Sequence, residues 1–186
     1  MRPTMRLATG LLALVIFLGV TVTARPSHAG SAAEIDRDVD AALANLYASN
    51  PGARQLGNQA RGVLVFPSIV KAGFLFGAQY GEGALRQKGA RTAYYNSVAA
   101  SYGLQAGVQV FGYALFFMSD SALRYLDNTG GFELGAGPSL VVLDVGAAKA
   151  LTTTTMQNDI YAVFFDQRGL MAGLGLQGTK ISRIEP

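Results

Sequence analysis

Between positions 54 and 91 the chain carries six cations, Arg54, Arg61, Lys71, Arg86, Lys88 and Arg91, against one acid, Glu82. Grouped cations of this kind attract phosphate-bearing surfaces, each well-placed one adding about 1 kcal/mol beside a charged bilayer. From charge alone a solvated sheet face explains them more simply, since exposed charges are worth little by themselves. Other residues offer chemistry only on paper. Ser68-Ile69-Val70-Lys71 has the S-x-x-K form of a serine nucleophile with its lysine, but that motif needs a helix start and a K-T-G partner, and the chain has no K-T-G. Gly173 to Gly178 matches G-x-G-x-x-G. A dinucleotide fingerprint must lead from a strand into a helix, and eight residues are too few for that helix and a second strand. Glu82, Glu133, Asp144, Asp159 and Asp166 are candidates for paired acid–base work, yet most sit beside glycines or at apparent strand ends, where turn and surface roles are the default.

The N-terminus narrows the chemistry further. Arg2 and Arg6 precede an uncharged, mostly apolar run from Leu7 to Val22, followed by Pro26 and Ser27-His28-Ala29. This is the form of a secretory signal peptide, with cleavage expected before Gly30. The alternative is retention as an anchor, for which the apolar run is marginal in length. Without an Arg-Arg pair or a following cysteine, the general export route is expected and a lipoprotein is not. Arg2, Arg6 and Arg25 account for the whole net charge of +3, so residues 30–186 are formally neutral. The basic pI therefore does not argue for a nucleic-acid partner. Residues 30–186 also hold no His and no Cys. That excludes disulfides, Ser-His-Asp triads and the usual zinc sites. One core is expected, in one domain spanning 30–186.

The elements that would position these residues are legible as pattern. Ser31-Ala32-Ala33-Glu34 has the form of a capping box, and Ile35, Val39, Ala42, Leu43 and Leu46 then mark one helical stripe. Asn50-Pro51-Gly52 ends the helix, and a short second helix is expected over 53–60. After Arg61, runs of Val, Ile, Phe and Tyr broken by Gly, Asp and Asn predict antiparallel strands. They fall near 62–66, 73–80, 82–88, 93–104, 106–118, 132–143, 145–155, 159–166 and 169–183. A short helix is expected near 119–128, with Ser119 as N-cap and Gly131 or its neighbour as a left-handed end. Glycines recur on single strand faces, Gly73, Gly77 and Gly81 in one run and Gly103 and Gly107 in another. Glycine weakens strands, so the pattern implies close approach or strong curvature. The fold class expected is α+β: a strongly curved antiparallel sheet, barrel or half-barrel, with an N-terminal helix.

These residues carry a resemblance. Arg61-Gly62-Val63-Leu64-Val65-Phe66-Pro67, Lys71-Ala72-Gly73-Phe74, Gly77, Tyr80-Gly81 and Gly83 resemble the signature of the SYLF domain family, also called the Ysc84-type or Las17-binding actin-regulator domain. Gly103, Gln105 and Gly107, then Gly135 to Pro138, then Tyr161 and Gly169 to Gly173 resemble its later blocks. The likeness spans about 33–183. It implies a non-enzymatic, cofactor-free domain that binds anionic phospholipid or phosphoinositide through basic residues and an amphipathic N-terminal helix. Lys71 falls on the family's lysine and Arg61 on a frequently basic position. Tyr94-Tyr95 stands for the family's aromatic before the central strands. No SH3 or FYVE neighbour is seen, and an exported bacterial member would meet no actin. The expectation is therefore a periplasmic cell-envelope protein docking on a phospholipid membrane surface through Arg61, Lys71, Arg86, Lys88 and Arg91. The rival expectation is an envelope structural or protein-interaction module with a protein partner.

Overall fold

A computed structural model describes residues 30–73, 76–102, 107–127, 132–134, 137–143, 148, 157–169 and 178–186. The leader expected at 1–29, the strand expected near 145–155 and most of the 173–178 glycine motif lie outside the described residues.

The chain enters through α1 (Ala32–Ser49), and the capping box forms as read. The Ser31 hydroxyl accepts from the Glu34 N–H at 3.4 Å, and Glu34 accepts in return from the Ser31 N–H at 2.9 Å. Those bonds, the backbone one first and the hydroxyl second, hold the Glu34 carboxyl below its usual range. Ile35, Val39, Ala42 and Leu46 are buried along the stripe. Asn50 ends α1 and also caps α2 (Pro51–Gln59), its side chain accepting from the Ala53 N–H at 3.1 Å. The second helix thus starts two residues earlier than expected, because proline suits the first helical position.

Among the described residues eight strands follow: β1 (Gly62–Gly73), β2 (Phe76–Arg86), β3 (Ala93–Tyr102), β4 (Gly107–Phe117), β5 (Phe132–Glu133), β6 (Leu140–Leu143), β7 (Ile160–Gly169) and β8 (Lys180–Ile184). Helix α3 (Asp120–Leu126) lies between β4 and β5, capped by Ser119 as expected. It ends at Asp127 in right-handed geometry rather than on a glycine. The sheet order is β5-β8-β3-β2-β1-β4-β7-β6. All pairs are antiparallel except β6 with β7, which run parallel. The stretch from 144 to 159 supplies the dozen or so residues that a parallel crossover requires. The edge strands β5 and β6 do not meet among the described residues, so of the two expected forms, barrel and half-barrel, the sheet takes the open one.

The curvature is real and has a source. Strands β3 and β4 are three positions apart, about 14 Å in a flat sheet. Yet the Tyr113 hydroxyl donates to Ser97 Oγ at 2.7 Å. Two side chains and one hydrogen bond span only about 12 Å, so the sheet must curl to bring them together. The break is at Pro67-Ser68. Val65 pairs with Ala84 and Val70 with Tyr80, so β1 holds one residue more than β2 there, a bulge. The bulge presses β1 backbone onto β2. A side chain at Gly81 would lie 2.5 Å from the Ser68 carbonyl oxygen, and one at Gly83 would strike the Val65 carbonyl. Only glycine fits, and the two predicted strands around Gly81 are therefore one continuous β2. A second irregularity in β7 holds Asp166 at φ 51°.

The sheet has apolar packing on both faces. Its outer face carries α1 and α2 over Val63, Val65, Ala84, Ala114, Phe116, Tyr161 and Val163. The concave face encloses Leu64, Phe66, Ile69, Phe111, Tyr113, Leu115 and Phe164, closed at one end by Leu123 and Leu126 of α3. The Phe66 and Tyr113 rings sit 4.9 Å apart.

Candidate functional site

The five expected lipid-binding cations do not form one face. Arg61 opens β1 and pairs weakly with Asp120 at 3.6 Å, both well exposed. With Lys88 it lines a shallow groove of about 620 Å³ between α2 and the β2–β3 turn, where Asp120 also lies. Arg91 is exposed at that same turn. Arg86 also lines this groove, but its charge is committed to α1: its guanidinium meets Asp36 at 2.8 Å and Asp40 at 2.8 Å, with 23% of its side chain exposed. Burial opposes the Arg86 charge, but the hydrogen bonds to Asp40 and Asp36 outweigh it and hold its pKa above the ordinary value. Tyr94 adds a hydroxyl to Asp36 at 2.9 Å. Arg86 is thus the clasp between α1 and the sheet.

Lys71 lies ten positions from Arg61 along β1, at the far end of the sheet. The bulge changes its face. Without it, Lys71 would share the helix-covered side with Val63 and Val65. A shift of one residue inverts every later side chain. Lys71 therefore pairs with Gln79 and Gln109 on the concave face.

The same inversion creates a surface that sequence reading missed. Beyond the reach of α1 and α2, the outer face of this end is apolar and uncovered. One cross-strand row runs Val98, Tyr80, Val70, Val110 across β3, β2, β1 and β4. The next runs Ala100, Ala78, Ala72, Val108. Val98, Tyr80, Val70 and Val108 are 43%, 47%, 48% and 58% exposed, and Phe76 at the strand tip is 73% exposed. The first row ends in cations on both sides. Lys180 of β8 pairs with Val98, and Arg168 of β7 pairs with Val110. Both are exposed. Two acids border this surface. Glu133 pairs with Lys180 at the β5 edge. Glu82 is engaged by the Tyr80 hydroxyl at 2.6 Å and the Gly30 N–H at 2.8 Å. Burial first, then the Glu82 bond, push the Tyr80 hydroxyl up to about 12, so it stays a donor. The signal in the sequence was alternation: Val70, Ala72, Ala78, Tyr80, Val98 and Ala100 are apolar at every second position.

The catalytic candidates do not converge. Ser68 is exposed in the β1 bulge rather than at a helix start. Asp159 accepts from Ser119 at 3.0 Å and Ser139 at 3.1 Å, tying α3 to β7. Asp166 occupies the β7 irregularity and Glu133 an edge, while Asp144 lies outside the described residues. Among the described residues no helix is long and apolar enough to cross a membrane.

Residues 98–185 match the family profile described as Las17-binding protein actin regulator, Ysc84. Protein YSC84 of Saccharomyces cerevisiae is 26% identical over 130 residues, a match covering 66% of this chain. The chain spans 28% of that protein's length. The family that the motifs resemble is thus the one the profile finds, although the Arg61–Gly83 block lies outside the matched residues.

Proposed function

We propose that this relative of the Ysc84 proteins is a non-enzymatic domain of a bacterial envelope protein that docks on anionic membrane surfaces. The carrying observation is the exposed apolar patch of Val98, Tyr80, Val70 and Val108, with Lys180 and Arg168 at the ends of its first row. Exposed apolar surface of this continuity is usually an interaction site. A second copy of the chain is a poor occupant: a face-to-face two-fold that keeps the rows aligned sets cation over cation, Lys180 on Lys180 or Lys180 on Arg168. Anionic headgroups complement both ends, while the valines and tyrosine meet the acyl boundary. The groove at Arg61 and Lys88, with Arg91 on the adjoining turn, sits at the opposite end and adds attraction rather than contact. Arg86 is excluded from docking by its ion pairs.

Co-sedimentation with anionic and neutral vesicles tests this reading. Binding is expected to anionic vesicles, weakened as salt rises because exposed charge is screened within about 8 Å at physiological ionic strength. Lys180→Glu with Arg168→Glu should reduce it about tenfold or more. Equal binding by that double variant would overturn the reading. The family description names protein partners, Las17 and actin. A protein-interaction module would use the same apolar face, and absence of binding to either vesicle would favour it.

A further inference from the structure

Glu82 is the one acid among the six cations of residues 54–91, yet among the described residues no cation pairs with it. It is half-buried on β2. Its Oε1 accepts from the Tyr80 hydroxyl at 2.6 Å, and its Oε2 accepts from the Gly30 nitrogen at 2.8 Å. Directly across on β3 stands Asn96, whose Oδ1 is buried with no hydrogen-bond partner. Opposed residues on one face hold their Cβ atoms about 5 Å apart, so an unmade acceptor adjoins the carboxylate that holds Gly30. Native folds hold few such acceptors, because leaving one unmade is costly.

Gly30 is also the residue that the expected cleavage exposes as a new N-terminus. In the uncut chain its nitrogen is an amide with one N–H, spent on Glu82. Hydrolysis of the Ala29–Gly30 bond by a signal peptidase consumes one water: Ala29 leaves as a carboxylate, and the Gly30 nitrogen becomes an ammonium. The same atom, already 2.8 Å from Glu82, then carries a full charge and three donors. One donor strengthens the bond to Glu82, since charge-assisted hydrogen bonds are roughly twice as strong as neutral ones. A second serves Asn96 Oδ1. We propose that Glu82 and Asn96 form a binding site for the processed N-terminus of this chain, completed only when the leader is removed. Processing thereby adds a tie between the start of α1 and β2, beyond the one Arg86 makes with Asp36 and Asp40. The inference rests on the expected cleavage and is independent of membrane docking.

The full chain is expressed with its leader in a bacterial host, and the exported product is purified. Intact mass should place its first residue at Gly30; a product that begins elsewhere, or that retains the leader, overturns the proposal. The α-amine is then acetylated selectively, which removes the charge and restores the single N–H of the uncut chain. Acetylation should lower the melting temperature by about 3 °C. Glu82→Gln should abolish that difference and Asn96→Leu should reduce it, as coupling between the groups requires. The α-amine itself, titrated by NMR, should have a pKa above its ordinary value of about 8. Glu82 of β2 and Glu34 of α1, the charges bonded around residues 30 and 31, both raise it. Tyr80, Asn96 and Ser182, the neighbours of Glu82 and Asn96 on β2, β3 and β8, are neutral. Equal melting temperatures for the free and acetylated proteins, or a difference that survives Glu82→Gln, overturn the site. A difference unchanged by Asn96→Leu overturns the assignment of Asn96. Should Glu82→Gln fail to fold, the titration decides: an ordinary α-amine pKa overturns the site, and a raised one upholds it.

Discussion

Arg86 and Lys71 stand near each other in composition and apart in role. Arg86 closes a clasp with Asp36 and Asp40 across partly buried surface. Arg86→Ala should cost about 1–2 kcal/mol, because it strands two carboxylates and frees α1; urea unfolding checks this. That loss of stability with vesicle binding intact would place Arg86 on the structural side; weakened vesicle binding at unchanged stability would place it in docking. Gly83, like Gly81, has no room for a side chain. Gly83→Ala sets a methyl against the Val65 carbonyl and should cost about 2 kcal/mol or more, read in the same way. The basic cluster was visible in the sequence, but its division was not. Charge counts give no pairing, and Asp36 and Asp40 lie some fifty positions from Arg86. Lys71 was marked as a binding residue by the charge cluster and by a resemblance, and its place on the concave face between Gln79 and Gln109 was invisible because it depends on the β1 bulge.

At the level of elements, local signals carried well. The capping box, the α1 stripe and the Ser119 cap all lie within a few residues of chain, where spacing alone decides the structure. Ser31→Ala should cost about 1 kcal/mol, measured by thermal unfolding. The Glu34 carboxyl is held below its ordinary value of 4.5 by Ser31. Its contribution is therefore present above that value and is lost as pH falls through the lower folded pKa, and the Ser31→Ala variant should lack that part of the acid dependence. What misled was Gly81, read as a break between strands. It is a close-contact glycine inside β2, required by the Pro67-Ser68 bulge on the neighbouring strand. A bulge is a relation between strands, and one strand's sequence does not show it. It nevertheless decides which face each β1 residue from Ile69 onward occupies, and so it decides the site.

For the whole molecule, the open curled sheet divides the labour. One end is sealed by α3 and clasped by α1. The other is bare outside and polar within. The sealed portion holds tyrosines whose hydroxyls burial pushes up: Tyr47 and Tyr95 to about 12, and Tyr113 further still. Raised folded values mean that stability is intact below the ordinary pKa of 10 and is lost as pH rises through the folded values, because the unfolded chain releases these protons first. Alkaline unfolding is therefore expected to set in above pH 10 and to be complete near 12, followed by circular dichroism. In the proposed function it is the bare end that meets the membrane. The chain has no tryptophan, so one placed at the exposed Val98 is a single reporter, and one at Gln87 in the β2–β3 turn is its control. With anionic vesicles, the Val98→Trp protein should shift its emission to the blue and be quenched by brominated lipid, while the Gln87→Trp protein should stay water-like. An unmoved signal at 98, or a shift at 87 instead, would contradict the account.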